Sequence, residues 1–160
     1  DAGLIADAVL ATSEAQRQQI WALRDDVEQT MQHAPTFVFD VSLRIPFMED
    51  YVAEVDRRLS EAFAGIKNFT LGHMGDGNLL FVVAVGDGSP EARATVEGCV
   101  YEPLAEISGS VSAEHGVGLE KKPYLHLSRS PQEVALMRTL KQALDPKGLL
   151  NPGKIFDAQP

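Results

Sequence analysis

The sequence predicts an α+β domain in which helices pack on one face of an antiparallel sheet. Three observations carry that expectation. Between Phe37 and Ala113 the apolar pattern reads strand, helix, strand, strand, helix, strand. Pro46 and Ser89-Pro90 mark the starts of the two helices, and a glycine-rich stretch separates the two middle strands. A chain of 160 residues with 44% hydrophobic and 23% charged side chains suits one soluble globular domain. This order of elements is the split βαβ arrangement of ferredoxin-like folds.

Taken along the chain, Ser13 and Gln16 have the spacing of a capping box, and Ile20, Leu23, Val27 and Met31 recur on one side of a helix. Strict alternation over 36–44 puts Phe37, Phe39, Val41 and Leu43 on one side of a strand and Val38, Asp40, Ser42 and Arg44 on the other. Pro46 opens a second helix with the stripe Met48, Val52, Val55, Leu59 and Phe63, and Gly65 ends it. Residues 67–73 and 78–85 form a hairpin around the glycine-rich turn. Ser89-Pro90 begins a third helix, carrying Val96, Val100, Leu104 and Ile107, which Pro103 should kink. Residues 110–113 read as the closing strand, and 7–12 as an addition to the sheet edge. Ser130, Pro131 and Glu133 start the last helix, and Asp145, Pro146 and Gly148 end it before LLNPGKIF.

Subtracting 23 acidic from 14 basic side chains gives a net charge of −9. Lys121-Lys122 and Arg57-Arg58 are the only adjacent basic pairs, so nucleic acid is excluded as an expected partner. A lone cysteine, Cys99, has no internal disulfide partner and suggests packing in a reducing compartment, expected to be the cytoplasm. No apolar run approaches the ~20 residues of a membrane span, and no basic stretch followed by an apolar one opens the sequence, so neither a span nor a signal peptide is expected. The first residues already read as core-forming, so the natural protein is expected to begin further upstream.

Three places hold polar residues that the fold alone does not require. In Gly72-His73-Met74-Gly75-Asp76-Gly77-Asn78, three glycines in six residues permit a tight turn and close approach of a ligand. The plain alternative is a hairpin loop with an incidental histidine. In Ser112-Ala113-Glu114-His115-Gly116-Val117-Gly118 a carboxylate adjoins an imidazole, which can accept a proton near neutral pH; a strand end followed by glycine is the routine alternative. Arg24 falls about 60° from Val27 around the first helix, beside the apolar stripe. There it either joins an internal salt bridge or holds a substrate carboxylate through paired hydrogen bonds.

Together these stretches resemble the C-terminal domain of FAD-linked oxidases, the family of D-lactate dehydrogenase, the glycolate oxidase flavoprotein subunit and D-2-hydroxyglutarate dehydrogenase. The likeness runs from Asp7 to Phe156 and includes Trp21-Ala22-Leu23-Arg24, Phe39-Asp40-Val41-Ser42-Leu43, the glycine-rich turn through Leu79, the Glu114-His115-Gly116 stretch, and residues 144–154 (LDPKGLLNPGK). The resemblance implies that Arg24 binds the substrate carboxylate and that His115 is the base beside the substrate hydroxyl. It implies His73 and Glu114 as metal ligands, and places Asn78 and Asn151 close to the flavin ring. The whole chain, 1–160, is then the substrate-binding cap. FAD is held mainly by an N-terminal FAD-binding domain absent from this chain, which by itself should be inactive.

Three departures modify this reading. Leu80 stands where the family has a second metal-binding histidine, so a divalent metal should bind weakly or not at all. Val38 replaces a lysine of members acting on dicarboxylates. Arg44 replaces a proline and is a further candidate for anion binding. The reaction implied is oxidation of a small 2-hydroxy acid, of D-lactate or glycolate type, to the 2-oxo acid, with hydride passed to FAD and onward to an electron acceptor. A homodimer is one state the sequence leaves open. The rival readings are a non-catalytic association module derived from such a cap and, more weakly, a small metallohydrolase using His73 and Glu114.

Overall fold

The computed structural model describes residue 3 and residues 5–157. The chain divides into two units, Asp1–Gln32 and His33–Pro160. In the first, Ser13 caps α1 (Glu14–Asp25), its hydroxyl accepting from the amide of Gln16 at 3.2 Å. The Gln16 side chain reaches back to the amide of Thr12 instead of closing the expected box on Ser13. The helix stops well before Met31 because Asp25 and Asp26 load its carbonyl end with negative charge. Asp26 also takes the side-chain amide of Gln29 at 3.1 Å, and the backbone tightens into a 3₁₀ helix over Val27–His33. Residues 7–12, expected as an edge strand, form no regular element.

In the second unit β1 (Thr36–Ser42), β2 (Lys67–His73) and β3 (Asn78–Ala84) make an antiparallel sheet in the order β1-β3-β2. The register pairs Phe37 with Val83, Phe39 with Phe81 and Val41 with Leu79, so the predicted apolar side of β1 meets that of β3 on one face. Onto this face pack Tyr51, Val55 and Leu59 of α2 (Met48–Ala62) and Val96, Val100 and Tyr101 of α3 (Pro90–Tyr101). Each such side chain contributes about 1.5–3 kcal/mol by leaving water. Tyr51 sets its ring edge-on to Phe81, and its hydroxyl donates to the carbonyl of Val100 at 2.7 Å, which ties α2 to α3. Cys99 lies half-buried beside this core, and burial pushes its thiol pKa up, as suits a packing residue.

The α+β architecture, with helices on one face of an antiparallel sheet, is as the sequence predicts; two further local expectations are corrected. Pro103 does not kink α3: the helix ends at Tyr101 and gives way to a 3₁₀ turn over Glu102–Ala105. The expected fourth strand is reduced to one bridge between Ser42 and Ser110. Beyond it the amides of residues 113–115 turn to a side chain, Asp40, rather than to a strand.

The β2–β3 connection is built on glycine for steric reasons. A Cβ at Gly72 would lie 2.2 Å from the carbonyl oxygen of Asn78, and one at Gly77, where φ is +76°, would lie 2.1 Å from that of Leu43. After the sheet come α4 (Leu125–Ser128) and α5 (Pro131–Leu144), the latter opened by the predicted box: Ser130 accepts from the Glu133 amide and Glu133 from the Ser130 amide. Among the described residues no helix is long and apolar enough to cross a membrane.

Candidate active site around Asp40

The second face of the sheet carries the polar residues. Its rows follow from the register: Ser42, Asn78 and His73 lie side by side, then Asp40, Leu80 and Leu71, then Val38, Val82 and Phe69. Asp40 is the fixed point, only 2% exposed although ionisable. Its Oδ2 accepts the backbone N–H groups of Ala113, Glu114 and His115 at 2.9, 2.7 and 2.9 Å, and the Ser112 hydroxyl at 3.4 Å. Its Oδ1 pairs with Nζ of Lys121, itself buried, which also donates to the Asp40 carbonyl at 3.2 Å and to the Ser112 hydroxyl at 3.1 Å.

Burial opposes charge on Asp40. The His115 amide, the Lys121 ammonium and the Glu114 amide outweigh it and hold the carboxyl below its ordinary range. A lone buried carboxylate would neutralise instead, so Lys121 makes the arrangement tenable. The result is a loop, Ser112 to His115, clamped on a strand by one anion.

Two predicted residues are presented by that clamp. His115 sets Nδ1 3.2 Å from Asp40 Oδ1 while its side chain stays 57% exposed. Glu114 turns the other way, and its Oε1 accepts from Nδ2 of Asn78 at 2.6 Å. Asn78 is nearly buried and its Oδ1 has no hydrogen-bond partner. His73 is the cross-strand neighbour of Asn78, so Glu114, Asn78 and His73 share one end of the sheet. A cavity of about 250 Å³ opens beside Glu114 and Gly116, with Arg129 and Met137 on its wall.

The other predicted residues each have their own surroundings. Arg24 belongs to the first unit, where it pairs with Asp25 at 3.0 Å and lies over the Trp21 ring, largely exposed. Arg44 was expected to share the face of Asp40. β1 ends at Ser42, and the Arg44 guanidinium stacks on Phe47 instead. Asn151 sits with φ at +47° in the tail that follows α5, beside Lys154 and Phe156.

For a metal, His73 and Glu114 are the only predicted donors, and Leu80, half-buried between Asp40 and Leu71, offers no electron pair. Among the described residues no three His, Cys, Asp or Glu side chains are placed to hold an ion. Among the described residues the donors on this face stop at those two side chains.

Sequence reasoning passed over Asp40 and Lys121 as site residues. Asp40 did leave a trace, as the one charged residue in β1. Lys121 left none beyond its place in a Lys-Lys pair.

Residues 1–155 match the model of the family described as "FAD linked oxidases, C-terminal domain". The D-2-hydroxyglutarate dehydrogenase of Stutzerimonas stutzeri (strain A1501) is 37% identical over 161 residues, covering 98% of this chain and 35% of that protein. The mitochondrial D-2-hydroxyglutarate dehydrogenase of Rattus norvegicus is 39% identical over 160 residues, 99% of this chain and 30% of its own length. A mitochondrial protein of Schizosaccharomyces pombe, named as a candidate D-lactate dehydrogenase, is 37% identical over 161 residues, 94% of this chain and 31% of its own. The chain thus spans about a third of the length of these curated relatives. On the family match and these identities together, the chain belongs to the FAD-linked oxidases and corresponds to their C-terminal domain.

Proposed function

We propose that this chain is the substrate-binding cap of an FAD-dependent dehydrogenase that oxidises a small 2-hydroxy acid to the 2-oxo acid. The observation that carries the reading is the clamp on Asp40, which holds the exposed His115 imidazole against that carboxylate while the preceding Glu114 meets Asn78. A histidine so held is a base for the substrate hydroxyl proton. Arg24, exposed on α1, would grip the substrate carboxylate through paired hydrogen bonds. Arg44, stacked on Phe47, is a second cation for an anionic group.

FAD, held mainly by a separate FAD-binding domain, would supply the acceptor for the two electrons that leave the α-carbon as hydride. The orphaned Oδ1 of Asn78 suits a ligand N–H such as a flavin ring presents, and Asn151 is a second candidate for that ring. Leu136, Leu140 and Leu144, exposed along one side of α5, are the surface we assign to that domain, since two thirds of each relative lies outside the matched region.

Val38 puts an apolar group one row from Asp40, which favours a short D-lactate- or glycolate-type substrate over a dicarboxylate. The names of several relatives point the other way, to D-2-hydroxyglutarate. The test is to combine the chain with the FAD-binding domain of a relative and follow flavin bleaching with D-lactate, glycolate and D-2-hydroxyglutarate. Bleaching by a monocarboxylate supports the reading, and preference for D-2-hydroxyglutarate overturns the substrate class. A complex that forms but bleaches with none of the three overturns catalysis in favour of an association module.

A further inference from the structure

We propose that Asp40 is a positioning residue for His115: it accepts an N–H from Nδ1 of the imidazole and so leaves the Nε2 lone pair free for a substrate proton. This deepens the dehydrogenase reading and, for its catalytic consequence, rests on it.

The geometry is that of one carboxylate serving two parts of the same residue. Oδ2 receives the backbone N–H of His115 at 2.9 Å, which fixes where the residue begins, and Oδ1 lies 3.2 Å from its Nδ1, within reach of an N–H carried on that nitrogen. A neutral imidazole has one N–H and one lone pair, and an ionised carboxylate can only accept. The N–H therefore belongs on Nδ1. The tautomer of a histidine is set by whichever hydrogen bond its other nitrogen makes.

Lys121 completes the device. Its ammonium, nearly as buried as the carboxylate, keeps Asp40 charged and unable to donate. The neighbouring Glu114 ties the loop to Asn78, but beyond His115 comes Gly116 at φ +79°, and the imidazole itself is more than half exposed. Without Asp40 the ring would be free to turn and to place its proton on either nitrogen. With it, the substrate hydroxyl proton has one destination, Nε2, and the imidazolium that forms is opposed by a carboxylate already in contact.

Nitrogen-15 NMR of this chain reads the tautomer without flavin or turnover, the His115 signals being assigned by their loss in H115Q. In its neutral form His115 is expected as the Nδ1–H tautomer in the unaltered chain and mainly as Nε2–H in D40N. D40N leaves Lys121 buried and unpaired, so D40N/K121M, which removes both charges, is measured beside it. Nε2–H in the unaltered chain, or an unchanged tautomer in either folded variant, overturns the proposal. Should neither variant fold, the unaltered chain decides alone.

In the protein joined to an FAD-binding domain, D40N/K121M is expected to lower kcat roughly 100-fold with KM within about threefold. An unchanged kcat there overturns the positioning role. Nδ1–H in a chain whose joined form never turns over supports the placement of the ring and overturns the dehydrogenase reading, so the two failures are distinct.

Discussion

The side-chain amide of Asn78 donates to the carboxylate of Glu114 at 2.6 Å, joining the start of β3 to a loop 36 residues away. Because Asn78 is nearly buried, replacing it by Asp would force two carboxylates together out of water. N78D is expected to lose about 1–3 kcal/mol of stability near neutral pH. Part of this should return near pH 5, where one carboxyl takes a proton and bonds the other. Urea unfolding at the two pH values measures both, and an N78D midpoint unchanged at neutral pH contradicts the contact.

Lys121 and Asp40 should behave as a unit. K121M leaves a buried carboxylate uncompensated and is expected to cost about 3–5 kcal/mol, whereas D40N/K121M should recover much of that loss. The pH dependence follows from the lowered pKa of Asp40 in the folded chain. Its stabilisation is fully present above the unfolded carboxyl value of about 3.9 and disappears as pH falls through the lower folded value. Urea midpoints taken downward from neutral pH should therefore fall less steeply in D40N/K121M than in the unaltered chain, and parallel curves would contradict the pairing.

How far the sequence carried this structure differs from residue to residue. The core face was legible because Phe37, Phe39 and Val41 repeat with the period of a strand, and the register only had to join them to Leu79, Phe81 and Val83. The fourth strand misled because its amides had competitors that no local pattern reveals: the Ser128 hydroxyl takes the N–H of Val111, and the Asp40 carboxylate, more than 70 residues earlier, takes that of Ala113. Gly72 and Gly77 stood out as a ligand-binding turn, yet steric contact with Asn78 and Leu43 already requires both. Glu114 and His115 were found as a pair; that they point to different partners, Asn78 and Asp40, is tertiary information.

Asp145 organises the tail that bears Asn151. Its carboxylate takes Lys141 and the amides of Leu149 and Leu150, the latter two at 2.9 and 2.8 Å, and the Lys141 ammonium foremost holds its pKa down to about 2. The hold is complete above the unfolded carboxyl value of about 3.9 and is lost as pH falls toward the folded one. D145N is expected to speed hydrogen exchange at Leu149 and Leu150 at neutral pH while leaving the amides of β3 as slow as before. Equal acceleration in β3 would mean that Asp145 supports the whole unit and not the tail.

Leu80 offers the sharpest test of the metal reading. In the ladder it stands opposite Asp40 on one side and Leu71 on the other, one row from Asn78 and His73. A histidine there would add a third donor to His73 and Glu114, enough for the three protein ligands of an open zinc site. L80H is expected to gain a Tm that rises with the logarithm of free zinc, because an ion that binds only the folded state stabilises it by mass action. L80H/H73A should lose that dependence, and the unaltered chain should show little of it. A zinc response as steep in the unaltered chain as in L80H would mean that two side chains suffice, or that another donor joins them. A flat response in L80H would show that His73, position 80 and Glu114 do not converge closely enough to share an ion.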